Sequence, residues 1–103
     1  MFGFRRRNLE IKKILDAAEK AHRLIGDLHE DDPSNATFDQ AGILDGRAIV
    51  QDYIDSNEWG LAFEHLLYMI YESEIRFPES ELQELHSIAR ANGIRNAYEK
   101  RSS

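Results

Sequence analysis

The chain has 103 residues, of which 42% are hydrophobic and 31% are charged, a composition typical of one soluble globular domain spanning residues 1–103. It contains no cysteine, so disulfides, thiolate metal sites and cysteine nucleophiles are excluded, and this usage fits a cytoplasmic protein. The net charge is −6, but residues 27–84 carry −13, whereas residues 1–26 and 85–103 carry +4 and +3.

The first predicted element is an amphipathic helix over roughly residues 6–28. Its apolar positions recur at helical spacing: Ile11, Ile14, Leu15, Ala18, Ile25 and Leu28. Residues 29–41, HEDDPSNATFDQA, contain three consecutive acids followed by Pro33, which indicates a loop. Because this is long for a connection between helices, we expect a loop that is mobile or binds a partner, with Phe38 anchoring its far end to the core.

A second helix is predicted over roughly residues 43–55, on the helical spacing of Ile49, Val50 and Tyr53. Two glycines, Gly42 and Gly46, weaken its start, because glycine costs about 1 kcal/mol in a helix interior. A start nearer Asp45 therefore fits the sequence equally well.

A third helix is predicted over roughly residues 58–73. Apolar residues cover more than half of its circumference, which is typical of a central helix: Leu61, Phe63, Leu66, Leu67, Ile70 and Tyr71. We expect Gly60 to let its start pack closely against the second helix, with the ring of Trp59 buried there. The remaining strip is predicted to be exposed: Glu64, His65, Tyr68 and Glu72.

A fourth helix follows Pro78, which disfavours helical geometry at the preceding residue. Residues 80–83, Ser-Glu-Leu-Gln, match a capping box, and Asn92-Gly93 is a typical helix end. A short turn through Tyr98 is predicted to follow, and residues 1–5 and 99–103 are predicted to be loose. No segment alternates like a strand, so the sequence predicts an all-α fold, a small bundle of about four helices with a long acidic loop after the first helix.

Neither catalysis nor membrane insertion is predicted. No two histidines lie at the spacing of three or four residues that helical metal ligands need, so each is expected at the surface or the core edge: His22, His29, His65 and His86. The sequence shows no phosphate-binding loop and no nucleophile elbow, so we predict no enzyme, catalytic residue, cofactor or metal. The longest apolar window, residues 61–71, is charged and too short to cross a bilayer.

The charge pattern favours a basic protein partner. The acidic centre repels nucleic acid and attracts cations, and Arg5-Arg6-Arg7 lacks an aromatic platform on which bases stack, so no direct nucleic-acid binding is predicted. A nuclease carries a cationic groove for phosphates, which an acidic protein can block without catalysis.

Three segments carry a family resemblance: VQDYIDSNEWGLAFEHL at residues 50–66, PESEL at 78–82 and ANG at 91–93. Over residues 47–93 the chain resembles the MafI-like and CdiI-type bacterial immunity proteins of contact-dependent growth inhibition systems. The resemblance implies a small helical cytoplasmic protein that binds one cognate toxin domain, commonly a ribonuclease. The resemblance does not extend to the first helix or the acidic loop, and it does not indicate which residues contact the toxin.

The predicted function is therefore an immunity protein that neutralises a toxin C-terminal domain, a tRNase or EndoU-like ribonuclease, in a one-to-one complex. The alternative is a helical adaptor or regulatory subunit for another basic protein, and an apolar strip on the third helix also leaves a homodimer open. Toxin contacts are predicted at exposed acids and at tyrosines, which interface hot spots favour. These residues are Asp27, Glu30, Asp31, Asp32, Asp39, Asp45, Asp52, Tyr53, Glu64, Tyr68 and Glu72.

Overall fold

A computed structural model describes residues 2–98 of the chain. The four α-helices of this part are α1 (Phe2–Asp31), α2 (Gly46–Asp55), α3 (Trp59–Glu72) and α4 (Glu79–Ala91). Residues 2–98 contain no strand. The predicted all-helical bundle is thus confirmed. None of the helices within residues 2–98 combines the length and apolar character needed to span a membrane.

The first helix extends further than predicted in both directions, because α1 includes the backbone of residues 2–5 and continues to Asp31. Its end is set by Pro33, which disfavours helical geometry at Asp32. Glu30 and Asp31 therefore lie on a helix, and the long acidic loop is not confirmed. The looseness predicted for residues 99–103 lies outside the described residues.

The connection between α1 and α2 is structured rather than open. It contains a short 3-10 helix, Ala36–Asp39, whose start is capped by Asn35 accepting a hydrogen bond from the Thr37 backbone at 2.9 Å. The buried Thr37 hydroxyl donates to the carbonyl of Glu72 at 2.8 Å, which ties the connection to the end of α3. Phe38 packs against the core, as predicted.

Helix α3 is the central element, as its apolar circumference predicts. It contributes the largest share of fully buried side chains: Ala62, Phe63, Leu66, Leu67 and Met69. Helices α1 and α2 pack against it, and α4 packs against α1. Leu61, expected in the core, is instead 44% exposed, so it remains at the surface beside the polar strip.

The close approach between α2 and α3 occurs at Gly46 and not at Gly60. A Cβ atom at Gly46 would lie 2.8 Å from the sulfur of Met69, whereas one at the exposed Gly60 would meet nothing within 4 Å. The prediction for Gly60 is therefore wrong, because no helix packs closely against this residue. Trp59 is only partly buried, and the Arg7 guanidinium lies 4.9 Å from the centroid of its ring.

Helix α4 begins at Glu79, with Pro78 at the N-cap and no side-chain cap, so the predicted capping box is not formed. Ser80 lies inside the first turn, where its hydroxyl is no longer at the cap position. The C-terminal prediction is confirmed: Gly93 has φ of +68°, and the Ile94 amide donates to the Ala89 carbonyl at 2.8 Å, as in a Schellman motif.

Ion pairs join α1 to the other helices. Lys20 contacts Glu81 of α4 at 2.6 Å, and Arg47 of α2 contacts Glu19 at 2.7 Å. A further pair between α1 and α4 joins Lys13 to Glu84. These contacts neutralise part of the charge that the sequence divides into basic ends and an acidic centre.

Candidate functional site

An open groove of about 340 Å³ lies beside the exposed strip of α3. Its lining comes from α2, α3, the turn before α2 and the chain after α4: Ala41, Tyr53, Leu61, Glu64, His65, Tyr68, Ala97 and Tyr98. The groove brings together Tyr53, Glu64 and Tyr68 of the residues predicted to contact a partner. Leu61, Glu64, His65 and Tyr68 share one face of α3 because their spacing follows the helical repeat.

Two side chains of α3 fix one wall of the groove by bonding to the turn before α2. The Tyr68 hydroxyl donates to the carbonyl of Ala41 at 2.8 Å. His65 lies with its Nε2 2.9 Å from the carbonyl of Gly42, and since a carbonyl only accepts, Nε2 carries the proton. The two rings are 5.3 Å apart, so they stand side by side along the wall.

Gly42 is required where this wall meets the turn. Its φ is +83°, which residues with a Cβ rarely adopt, and a Cβ there would lie 2.6 Å from Cε1 of His65. The sequence suggested only a weak helix start at this glycine. Its structural role is to let the His65 ring approach the backbone.

The opposite side of the groove is formed by Tyr98, which returns to α3 after α4 has ended. Its ring stacks on that of Tyr71, with centroids 5.0 Å apart and planes within 2°. Its hydroxyl donates to Oε1 of Glu72 at 3.0 Å, which places Glu72 at the groove's edge. The turn predicted through Tyr98 is present, held by a hydrogen bond from the Tyr98 backbone amide to the Asn96 side chain.

His86 supports the Tyr98 side of the groove from inside the core. It is fully buried, and its Nε2 is 3.0 Å from the hydroxyl of Tyr71. The prediction that every histidine lies at the surface or core edge is therefore wrong for His86. The signal was present in the sequence, because His86 follows Leu82 by one helical turn and shares its apolar face.

The groove offers one free carboxylate and several aromatic faces. Glu64 is exposed and forms neither a hydrogen bond nor an ion pair with any residue in the described part of the chain. Within residues 2–98, no group of histidine, aspartate and glutamate side chains is arranged to hold a metal ion. The groove thus combines one unpaired carboxylate with the rings of tyrosines.

The other predicted contact residues do not join this groove. All are exposed acids: Asp27, Glu30 and Asp31 on α1, Asp32 and Asp39 in the connection, Asp45 just before α2 and Asp52 on α2. Asp27 lies beside Lys20, Arg23 and Arg76 in one shallow depression, and Asp45 beside His22 and Arg47 in another. They are spread over α1, the connection and α2, and none of them pairs with a cation that the structure describes.

Sequence reasoning missed Leu61, His65 and Tyr98 as groove residues. His65 was predicted on the exposed strip without a role, but like Tyr68 and Glu72 it is half-buried, and Leu61 was assigned to the core. The sequence gives no signal that Tyr98 lines the groove, because the position of Tyr98 depends on how the chain returns after α4. No protein family, curated protein or solved structure matches this chain.

Proposed function

We propose that the protein is an immunity protein that binds one cognate toxin domain and blocks access of RNA to its ribonuclease site. The observation that carries the proposal is the groove, which combines tyrosine rings with the free carboxylate of Glu64 on a protein of net charge −6. Its lining residues on α2 and α3 fall within residues 47–93, the segment that resembles the MafI-like and CdiI-type immunity proteins.

The physical basis is charge complementarity with an RNA-binding surface. A ribonuclease must present cations to hold phosphates, and an acidic protein competes for those cations. Acids such as Asp27, Asp31 and Asp45, distributed over the surface, raise the rate of encounter. The tyrosines of the groove provide rigid anchors with little loss of side-chain entropy, which is typical of interface hot spots.

This function requires no turnover by the protein itself. Inhibition follows from occupying or covering the toxin's RNA-binding surface in the cytoplasm, in a stable complex of one copy with one toxin domain. A helical adaptor for another basic protein would share the charge pattern, and it would differ in its partner and in having no effect on RNA cleavage.

The test is co-expression of the chain with the C-terminal domain of the toxin encoded beside its gene. We expect the tagged toxin domain to carry the protein through purification in equal amounts, and the purified complex to lose RNA cleavage. Heat-denatured protein serves as the control for unspecific protection of RNA. A toxin domain that purifies alone and retains full cleavage in the presence of the protein would overturn the proposal.

A further inference from the structure

We infer that the groove formed by Tyr53, Leu61, Glu64, Tyr68 and Tyr98 receives an arginine side chain of a basic protein partner. The inference rests on the proposed function for the partner's identity, but the preference for arginine follows from the groove itself. It assigns to this surface a specific chemistry, in addition to the general attraction between an acidic protein and a basic one.

The groove presents acceptors, because most of its donors are already used inside the protein. The hydroxyls of Tyr68 and Tyr98 donate to Ala41 and Glu72, and Nε2 of His65 donates to Gly42. The carbonyl of Ala41, which lines the groove, keeps a second lone pair for another donor. A ligand that brings several N–H groups therefore fits better than one that brings acceptors.

The charge of the groove selects a cation. Glu64 is exposed and forms no ion pair with a described residue, so an entering cation does not have to displace one. The faces of the tyrosine rings carry negative electrostatic potential and attract cations within about 6 Å of the ring centroid. An anionic ligand would be repelled by the same carboxylate.

Among cationic side chains, arginine matches these features better than lysine. Its guanidinium is planar, stacks on aromatic rings and donates in a fork that a carboxylate accepts with both oxygens. An ammonium group is strongly hydrated and donates as a point charge. Leu61, which is 44% exposed at the groove, offers an apolar surface for the methylene groups of the arginine stem.

A second copy of this chain is a poorer occupant. Each copy carries a net charge of −6, so two copies repel each other over about a Debye length. A basic toxin domain is attracted by the negative charge that repels a second copy. The structure thus favours a partner with an exposed arginine over a homodimer formed through the groove.

The test is a titration of the isotope-labelled protein with N-acetyl-arginine amide, followed by nuclear magnetic resonance. We expect backbone shifts concentrated at Tyr53, Leu61, Glu64 and Tyr68, with weaker binding of N-acetyl-lysine amide and none of the neutral citrulline amide. Glu64→Gln should weaken arginine binding about fivefold, the scale of one charge-assisted contact near the surface. Glu74→Gln removes an equal charge from the turn after α3, outside the groove and outside the predicted contact residues, and should leave the affinity unchanged.

Shifts spread evenly over the exposed acids, or equal losses in Glu64→Gln and Glu74→Gln, would overturn the inference, as would a dimer of the free chain that buries Tyr53 and Tyr68. The outcome is separable from that of the proposed function. Arginine binding in the groove without a toxin complex would contradict the proposed function alone. A toxin complex equally affected by the two substitutions would contradict the arginine site alone.

Discussion

Tyr71 and His86 form the polar contact at the inner edge of the groove, where α3 meets α4. His86 is fully buried, and the Tyr71 hydroxyl lies 3.0 Å from its Nε2. A buried ring nitrogen that loses its partner keeps its desolvation cost, so such a contact contributes more to stability than an exposed one. The same tyrosine ring supports Tyr98 by stacking, which links core stability to the groove.

Removal of the Tyr71 hydroxyl tests this contact. We expect Tyr71→Phe to lower the free energy of unfolding by about 1–2 kcal/mol, because His86 loses a buried hydrogen-bond partner. Tyr53→Phe is the matched control, since the Tyr53 hydroxyl forms no hydrogen bond within the described residues, and it should change stability by less than about 0.5 kcal/mol. Urea denaturation measures both; equal effects would contradict the assigned role.

Two glycines give opposite predictions for the same substitution. Gly42→Ala places a Cβ against His65 at a positive φ, so we expect it to destabilise the fold by about 1–3 kcal/mol and to displace the groove wall. Gly26 lies in the interior of α1, where an added Cβ atom would have no neighbour within 4 Å. Gly26→Ala should therefore stabilise the protein by about 0.5–1 kcal/mol. Thermal unfolding distinguishes them, and a stabilising Gly42→Ala would refute the account of this turn.

At the scale of helices, the sequence predicts which segments are helical and how some of them end. Apolar spacing identifies α3 as central, and Asn92-Gly93 predicts the end of α4 because only that local geometry is involved. The end of α1 was misplaced because the acids after Leu28 were interpreted as a loop. No residue between Leu28 and Pro33 forces the helix to end, so α1 continues to Asp31.

Contacts between helices were less predictable. Gly46 and Gly60 look alike in sequence, and only the packing of α2 on α3 shows that Gly46 lies against Met69. The capping box at Ser80 failed because Pro78 already occupies the N-cap position and Glu79 begins the helix. Pairing of α1 with α4 through Lys20 and Glu81 depends on tertiary structure and has no local signal.

The pair of Lys20 with Glu81 gives a prediction for the association of α1 with α4. In a double-mutant cycle with alanine, we expect a coupling energy of about 0.5 kcal/mol, since the pair is only partly buried. It should fall toward zero in 1 M salt, where the Debye length is about 3 Å. Lys12 and Asp16, paired within α1, provide the control cycle. A coupling insensitive to salt would indicate that packing, and not charge, accounts for the contact.

For the whole molecule, the acids fall into two groups with different roles. Glu19, Glu81 and Glu84 pair with cations between helices, whereas the predicted contact acids other than Glu72 form no ion pair with a described residue. Charge counting along the sequence found the acidic surface but not this division. The sequence also identified Glu64, which is exposed, and Tyr53 and Tyr68, which are half-buried in the groove lining, but not Tyr98.

The unpaired acids are expected to act mainly on the rate of encounter with a basic partner. Reversal of Asp31 and Asp32 to lysine should slow association with the toxin domain about tenfold at low salt and change dissociation little. Raising the salt concentration should bring the association rates of the variant and the unchanged protein together, which serves as the internal control. Stopped-flow mixing measures these rates. Association unchanged at low salt would show that this part of the surface does not steer the partner.

The most direct test of the central claim is isothermal titration calorimetry of the protein into the neighbouring toxin domain. We predict one binding site per toxin domain, with an affinity that weakens as salt increases because the interface is charge-complementary. Glu64→Gln should weaken binding more than Glu74→Gln. Absence of binding heat at several temperatures, together with separate elution of the two proteins, would contradict the immunity function and leave the acidic surface without its proposed partner.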